Sequence, residues 1–158
     1  MESKYCLFVG TRPEKGFDLL LELANKNTDV HFKVVGGITP VDAKNIEFLG
    51  RVSDEELIAL YKNATCFISC SIWPEPAGLT ILEAQREDTP VIVLNRGGSP
   101  EYVYHGTMVD TLNERIVGKA LRGEVGFVSD KASKTFFSAK RMADEYEEAY
   151  EMLTFTGE

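Results

Sequence analysis

The chain has 158 residues, 44% of them hydrophobic, and a formal net charge of -8. That length supports one globular domain with an adequate core, and the acidic balance argues against nucleic acid as a partner. No apolar run is long enough to span a bilayer, and the N-terminus lacks the charged-then-apolar pattern of a signal peptide.

In chain order, residues 5–9 predict a buried strand, followed by a turn and a helix over about 16–25 with Leu19, Leu20, Leu23 and Ala24 at helical spacing. Residues 30–35 read as a second strand ended by Gly36-Gly37, and 46–49 as a short third closed by Gly50. Ser53-Asp54-Glu55-Glu56 is a capping box, Ser53 the N-cap and Glu56 three positions on; its helix turns Leu57, Leu60 and Tyr61 to the core. Residues 65–69 and 91–94 give a fourth and a fifth strand, with a helix over 79–87 between them. Ser99-Pro100-Glu101 predicts another helix start, Ser as cap and Pro in the first turn. One long charged helix is expected from about 133 to 153.

Continuous apolar strands alternating with helices predict an α/β fold: a Rossmann-like, doubly wound parallel sheet covered on both faces. Ligands of such sheets bind at the carboxyl ends of the strands. Four polar or glycine-rich loops follow strands, at 10–16, 50–52, 71–78 and 95–99, and are expected to gather at one rim. Cys6, Cys66 and Cys70 lie in apolar runs without metal-ligand spacing and read as reduced core residues of a cytoplasmic protein. His31 and His105 stand far apart, with no pattern for a metal site or a nucleophilic triad.

The most informative stretch runs from Trp73 to Glu83. Pro74 and Pro76 bracket Glu75 and hold it on an extended segment, since the residue before a proline is pushed out of the helical region. Gly78 permits a close backbone approach, and the apolar spacing from Leu79 starts a helix whose free N–H groups suit an anion. Glu83, about one turn further in, is expected to face the same cleft. Two carboxylates with an anion site between them suit a sugar nucleotide, although a Glu near a helix start is favoured by the macrodipole in any protein. Arg12 and Lys15, the cations of the first loop, suit phosphate oxygens, Arg through a bidentate fork and Lys as a point charge. They equally fit a solvated surface. Gly97-Gly98 offers a second close approach, to a sugar ring or simply within a strand-to-helix turn.

In order, these segments resemble the donor domain of the GT-B glycosyltransferases of family 4. Phe8-Val9-Gly10 with Pro13-Glu14-Lys15-Gly16-Phe17 is similar to that family's first strand and phosphate loop. Phe48-Leu49-Gly50-Arg51-Val52-Ser53 resembles its base-side segment, and Glu75-Pro76-Ala77-Gly78-Leu79-Thr80 through Glu83 its pair of glutamates eight apart. Thr89-Pro90-Val91 with Gly97-Gly98-Ser99-Pro100-Glu101 resembles the strand and loop that follow. The match is collinear from about residue 5 to 105 and poor over 106–132. Arg12 stands three residues before Lys15, where the family usually places its Arg five before, and Ala77 stands where it usually has an aromatic.

The resemblance implies half of a GT-B fold and a retaining transferase that uses a UDP-, GDP- or ADP-linked hexose without a metal or other cofactor. By position it implies Glu75 on the sugar hydroxyls, and Lys15 and Arg12 on the diphosphate together with the amides of Gly78, Leu79 and Thr80. It implies Glu83 on the ribose, the Arg51-Val52 backbone at the base, and Gly10 and Gly98 lining the donor. It further implies an acceptor-binding half, from another part of a longer chain or from a separate subunit. Three other readings stand beside it. One is a binding or assembly module that does not transfer, and one a mutase or epimerase of the same architecture. The third is a hydrolase using Glu75 and Glu83 as an acid/base pair, which requires a carboxyl separation that fits a sugar.

Overall fold

The computed structural model describes residues 4–37, 41–112, 114–122, 124, 127–130 and 133–155. Strand β1 (Cys6–Val9) leads through a 3-10 turn (Pro13–Lys15) to α1 (Phe17–Lys26), and then come β2 (Phe32–Val35), β3 (Ile46–Gly50) and α2 (Asp54–Asn63). The second half holds β4 (Cys66–Ser69), α3 (Leu79–Arg86), β5 (Val91–Leu94), a 3-10 turn (Ser99–Tyr102) and β6 (His105–Val109). It continues through α4 (Glu114–Leu121), β7 (Val128–Ser129), α5 (Ser133–Phe136) and α6 (Ala139–Phe155).

The strands form one sheet in the order β3-β2-β1-β4-β5-β6-β7. The first six are parallel, and β7 runs antiparallel along β6. Cys6 pairs in register with Phe32 on one side and Cys66 on the other, so β1 is an interior strand beside the central β4. The chain winds outward from β1 to β3, returns to the centre and winds the other way from β4. Helices therefore cover both faces: α1 and α4 lie over Phe8, Phe32, Ile68 and Ile92, while α2 and α3 lie over Leu7, Phe67, Val91 and Val93. This is the doubly wound sheet that the sequence predicts, with its switch of direction between β1 and β4.

Local chemistry accounts for the elements. Ser53 caps α2 through both bonds of the box, its hydroxyl accepting from Glu56 N at 3.2 Å and its own N–H donating to the Glu56 carboxylate at 2.8 Å. Asn45, directly before β3, donates from its amide to the carbonyls of Ala24, Asn27 and Val30 and so ties the start of β3 to the end of α1. The three cysteines are free thiols in the core, with Cys66 Sγ 3.4 Å from Cys6 Sγ. The hydrogen bond with Cys66, and then burial, push the Cys6 thiol up, and burial alone pushes up Cys70.

Two expectations need correction. Ser99-Pro100-Glu101 opens only the four-residue 3-10 turn, and Ser99 lies inside it, with Gly98 at the cap position. The buried Gln85 side chain explains the early stop. It donates to the Tyr102 carbonyl and accepts from the N–H groups of Tyr104 and His105, which draws the chain straight into β6. The expected single helix over 133–153 is two. Between them Phe137 packs on Tyr102 and Tyr104, with ring centroids at 5.5 and 6.0 Å, and the Ser138 hydroxyl accepts from Arg141 N to start α6 afresh.

Candidate functional site

Parallel strands bring the loops after β1, β3, β4 and β5 to one rim. The loops after β1 and β4 meet at the switch in winding, where open α/β sheets leave a crevice for a ligand. They are joined backbone to backbone. Gly16, at φ 77°, faces the end of β4 so closely that a Cβ there would stand 2.0 Å from the Cys70 carbonyl oxygen. Only glycine fits that position. The Glu14 carbonyl then accepts from Ile72 N at 3.0 Å, Trp73 N at 3.3 Å and the Ser71 hydroxyl at 3.1 Å.

Between the loops lies a cavity of about 600 Å³ lined by Arg12, Glu14, Lys15, Trp73, Glu75, Pro76 and Ala77. Its central feature is the ion pair of Lys15 Nζ with the Glu75 carboxylate. Glu75 is buried, 8% exposed, with the carboxyl end of the pair more enclosed than the ammonium end. Arg12 is turned away from that pair and lies 3.3 Å from Glu14 of its own loop, with 72% of its side chain in solvent. Gly10 stands at the exit of β1, its N–H donating to the Val35 carbonyl, against the Lys15 side chain.

Helix α3 starts beside this cavity. Gly78 occupies its cap position without a side-chain hydrogen bond, so Leu79 and Thr80 open an end that no side chain caps. Glu83 does not face the cavity that holds Glu75. One turn on from Leu79 it is rotated by about a further 40°, and it accepts from the Tyr61 hydroxyl at 3.2 Å. Burial, and then the Glu83 charge, push that hydroxyl up, which keeps Tyr61 a donor. Glu83 thus lines a neighbouring hollow of about 270 Å³ with Asp54, Leu57, Ile58, Tyr61 and Arg86. Arg51 and Val52 follow β3 and line a third hollow, of about 590 Å³, that runs along α2 past Glu56 to Lys33. Gly98 N donates to the Glu75 carbonyl at 2.8 Å.

Three contributors escaped the sequence reading. Ser71 and the Glu14 carbonyl carry no motif. Arg96, which donates to the Ile72 carbonyl at 2.9 Å, is a cation directly after a strand, and that position was its available signal. For the hollow at Glu83 the available signal was Tyr61, expected at a core position of α2, because a buried hydroxyl needs a partner. Among the described residues, no three His, Cys, Asp or Glu side chains gather as a metal site.

A model of the glycosyl transferases group 1 matches residues 1–117. The chain belongs to that family. Among its relatives is the mannosylfructose-phosphate synthase of Agrobacterium fabrum, 26% identical over 144 residues, 74% of this chain and 32% of that one. Among solved structures, AviGT4, a glycosyltransferase of avilamycin A biosynthesis, superposes with a TM-score of 0.77 at 19% identity over 98% of this chain and 53% of its own. Anabaena HepE, solved with UDP-glucose, superposes with a TM-score of 0.63 at 21% identity over 77% of this chain and 39% of its own. At those identities the two structures establish the fold, that of one half of a GT-B glycosyltransferase. This group 1 chain spans about a third of the length of the curated relatives it matches. No helix among the described residues is long and apolar enough to cross a membrane.

Proposed function

We propose that this chain is the donor-binding domain of a retaining, metal-independent hexosyltransferase, working in the cytoplasm together with an acceptor-binding half. The observation that carries the reading is the Lys15–Glu75 pair at the switch point, beside the uncapped start of α3. In this reading Glu75 binds donor-sugar hydroxyls. Lys15 and the Leu79 and Thr80 amides meet the diphosphate, whose charge grows as the glycosidic bond breaks and is stabilised by donors already in place. Arg12 joins them by exchanging Glu14 for a phosphate oxygen. The hollow at Glu83 takes the ribose and the one at Arg51-Val52 the base, so sugar, phosphates and nucleoside follow the rim from β1 toward α2. The UDP-glucose of the HepE structure supports a nucleotide sugar as the class of ligand.

Calorimetric titration with UDP, GDP and ADP and their glucose or mannose conjugates tests this. Saturable binding of one series is expected, with Lys15→Ala weakening the diphosphates far more than the bare nucleoside. An equal loss for nucleoside and diphosphate would remove Lys15 from the phosphate role, and no binding in any series would sink the donor-site reading.

A further inference from the structure

The turn after β5 carries a glycine pair whose side-chain space is taken, at both residues, by the backbone of the loop that bears Glu75. A Cβ on Gly98 would stand 2.6 Å from the Pro76 carbonyl oxygen and 3.2 Å from that of Glu75. One on Gly97 would stand 2.7 Å from Pro74 Cα and 2.8 Å from Glu75 N. Backbone has no rotamer by which to yield, so each approach fixes where the Pro74–Pro76 segment lies. Hydrogen bonds hold the same contact from Gly98 N to the Glu75 carbonyl and from Arg96 to the Ile72 carbonyl. On the opposite side, the Glu14 carbonyl grips the loop at residues 71–73.

We propose that Arg96, Gly97 and Gly98 are positioning residues for Glu75, acting on a bound sugar through the Glu75 backbone rather than by touching it. The proposal rests on the donor-site reading above. It assigns the turn a consequence that the other hollows do not share. Hydroxyl recognition needs its acceptor held within about 0.5 Å, whereas Glu83, Arg51 and Val52 belong to α3 and to the β3–α2 connection. A disturbance of the 96–98 turn is therefore felt most at the sugar, less at the diphosphate, which Lys15 and the Leu79 and Thr80 amides meet, and is spared at the ribose and base.

Gly98 has φ -82° and ψ -8°, a conformation that alanine adopts freely, so Gly98→Ala acts only by displacing the Glu75–Pro76 peptide. Arg96→Ala removes the bond to Ile72 from an exposed side chain and remains informative if the first variant does not fold. Titrations of both compare UDP with UDP-glucose, GDP with GDP-mannose and ADP with ADP-glucose. In Gly98→Ala, the gain in affinity from the sugar is expected to fall about tenfold or more, as misplacements near 1 Å do, while binding of the bare nucleotide falls by a smaller factor. Arg96→Ala is expected to show a smaller loss of the same kind. An unchanged sugar gain in both variants, or equal losses for nucleotide and conjugate, overturns the proposal. Trp73, the sole tryptophan, lies in the gripped loop and reports on it without ligand. If no nucleotide binds the unmodified chain, the donor-site reading fails while Trp73 still decides the positioning. Altered emission in Gly98→Ala supports the grip, and identical spectra for both variants refute it.

Discussion

The loop over 71–77 and helix α6 both lie outside the sheet, yet they are held in opposite ways. The loop has almost no regular structure, and besides two bonds of its own to the Trp73 carbonyl it is held from other elements: the turn at 13–15, the segment at 96–98 and the Lys15 ammonium. Helix α6 is regular over 17 residues, but its ion pairs Lys140–Asp144 and Arg141–Glu145 stay within one turn of itself. Met142, Tyr146, Tyr150 and Leu153 are left exposed along it. Regular secondary structure is thus a poor guide to what is fixed in this molecule. The irregular loop is placed by long-range contacts, whereas the ion pairs of the helix are local.

The first way to break that comparison is to remove the anchor behind the 96–104 segment. Gln85→Leu fills the same core space but leaves the Tyr102 carbonyl and the Tyr104 and His105 N–H groups without that partner. An orphaned buried group costs about 1–3 kcal/mol, and since these three are only partly buried a total loss of about 3 kcal/mol is expected in urea unfolding. A loss below about 1 kcal/mol would mean that water replaces the side chain, by the same yardstick.

Next in size is Lys15→Ala, which strands the buried Glu75 carboxylate. Breaking a fully buried pair costs about 3–5 kcal/mol; because Lys15 is partly in solvent, about 2 kcal/mol is expected here. Adding Glu75→Gln should restore part of it, and strictly additive losses in that double-mutant cycle would show that the pair is not coupled.

What was legible in the sequence follows the same division. Strands β1 to β5, α1 to α3 and the capping box are local patterns of apolar spacing and cap chemistry, and each stands within two residues of its expected place. The convergence of four loops was legible too, because a parallel sheet dictates it. Strand β6 was not: its burial is patchy, and nothing in His105-Gly106-Thr107-Met108-Val109 separates it from a loop until the Gln85 side chain directs the chain along β5. The break between α5 and α6 was hidden for the same reason, since Phe137 leaves the helix for Tyr102 and Tyr104, over thirty positions away in sequence. Glu83 was found by spacing, but its partner Tyr61 belongs to another helix, so the hollow it faces could not be read.

A smaller effect checks that local contacts carry local energies. Ser53→Ala should cost about 1 kcal/mol, the usual worth of an N-cap. The Ser53 backbone and hydroxyl hold the Glu56 carboxyl below its ordinary value. The stabilisation from this group is therefore present above its unfolded-state pKa and is lost as the pH falls through the lower folded one. Stability of the parent chain should thus fall more steeply than that of Ser53→Ala on acidification below about pH 4.5. Parallel curves would mean that the Ser53 N–H alone, which alanine retains, holds the Glu56 carboxylate.

The smallest expected effect separates two neighbouring residues of α6. Among the described residues Lys140 pairs with Asp144, in solvent, so Lys140→Ala should cost about 0.3 kcal/mol and nothing at 1 M salt, where screening acts within about 3 Å. Arg141 bonds Glu145 as well, but its guanidinium also lies 3.3 Å over the Phe136 ring and donates to the Phe136 carbonyl. Those contacts tie α6 to α5 and depend less on salt, so Arg141→Ala should cost about 1 kcal/mol and keep most of that cost at high salt. Equal, salt-sensitive losses for the two variants would show that α6 is held by its own ion pairs alone. A persistent difference would locate its attachment at the Phe136 end, next to the contact of Phe137 with Tyr102 and Tyr104.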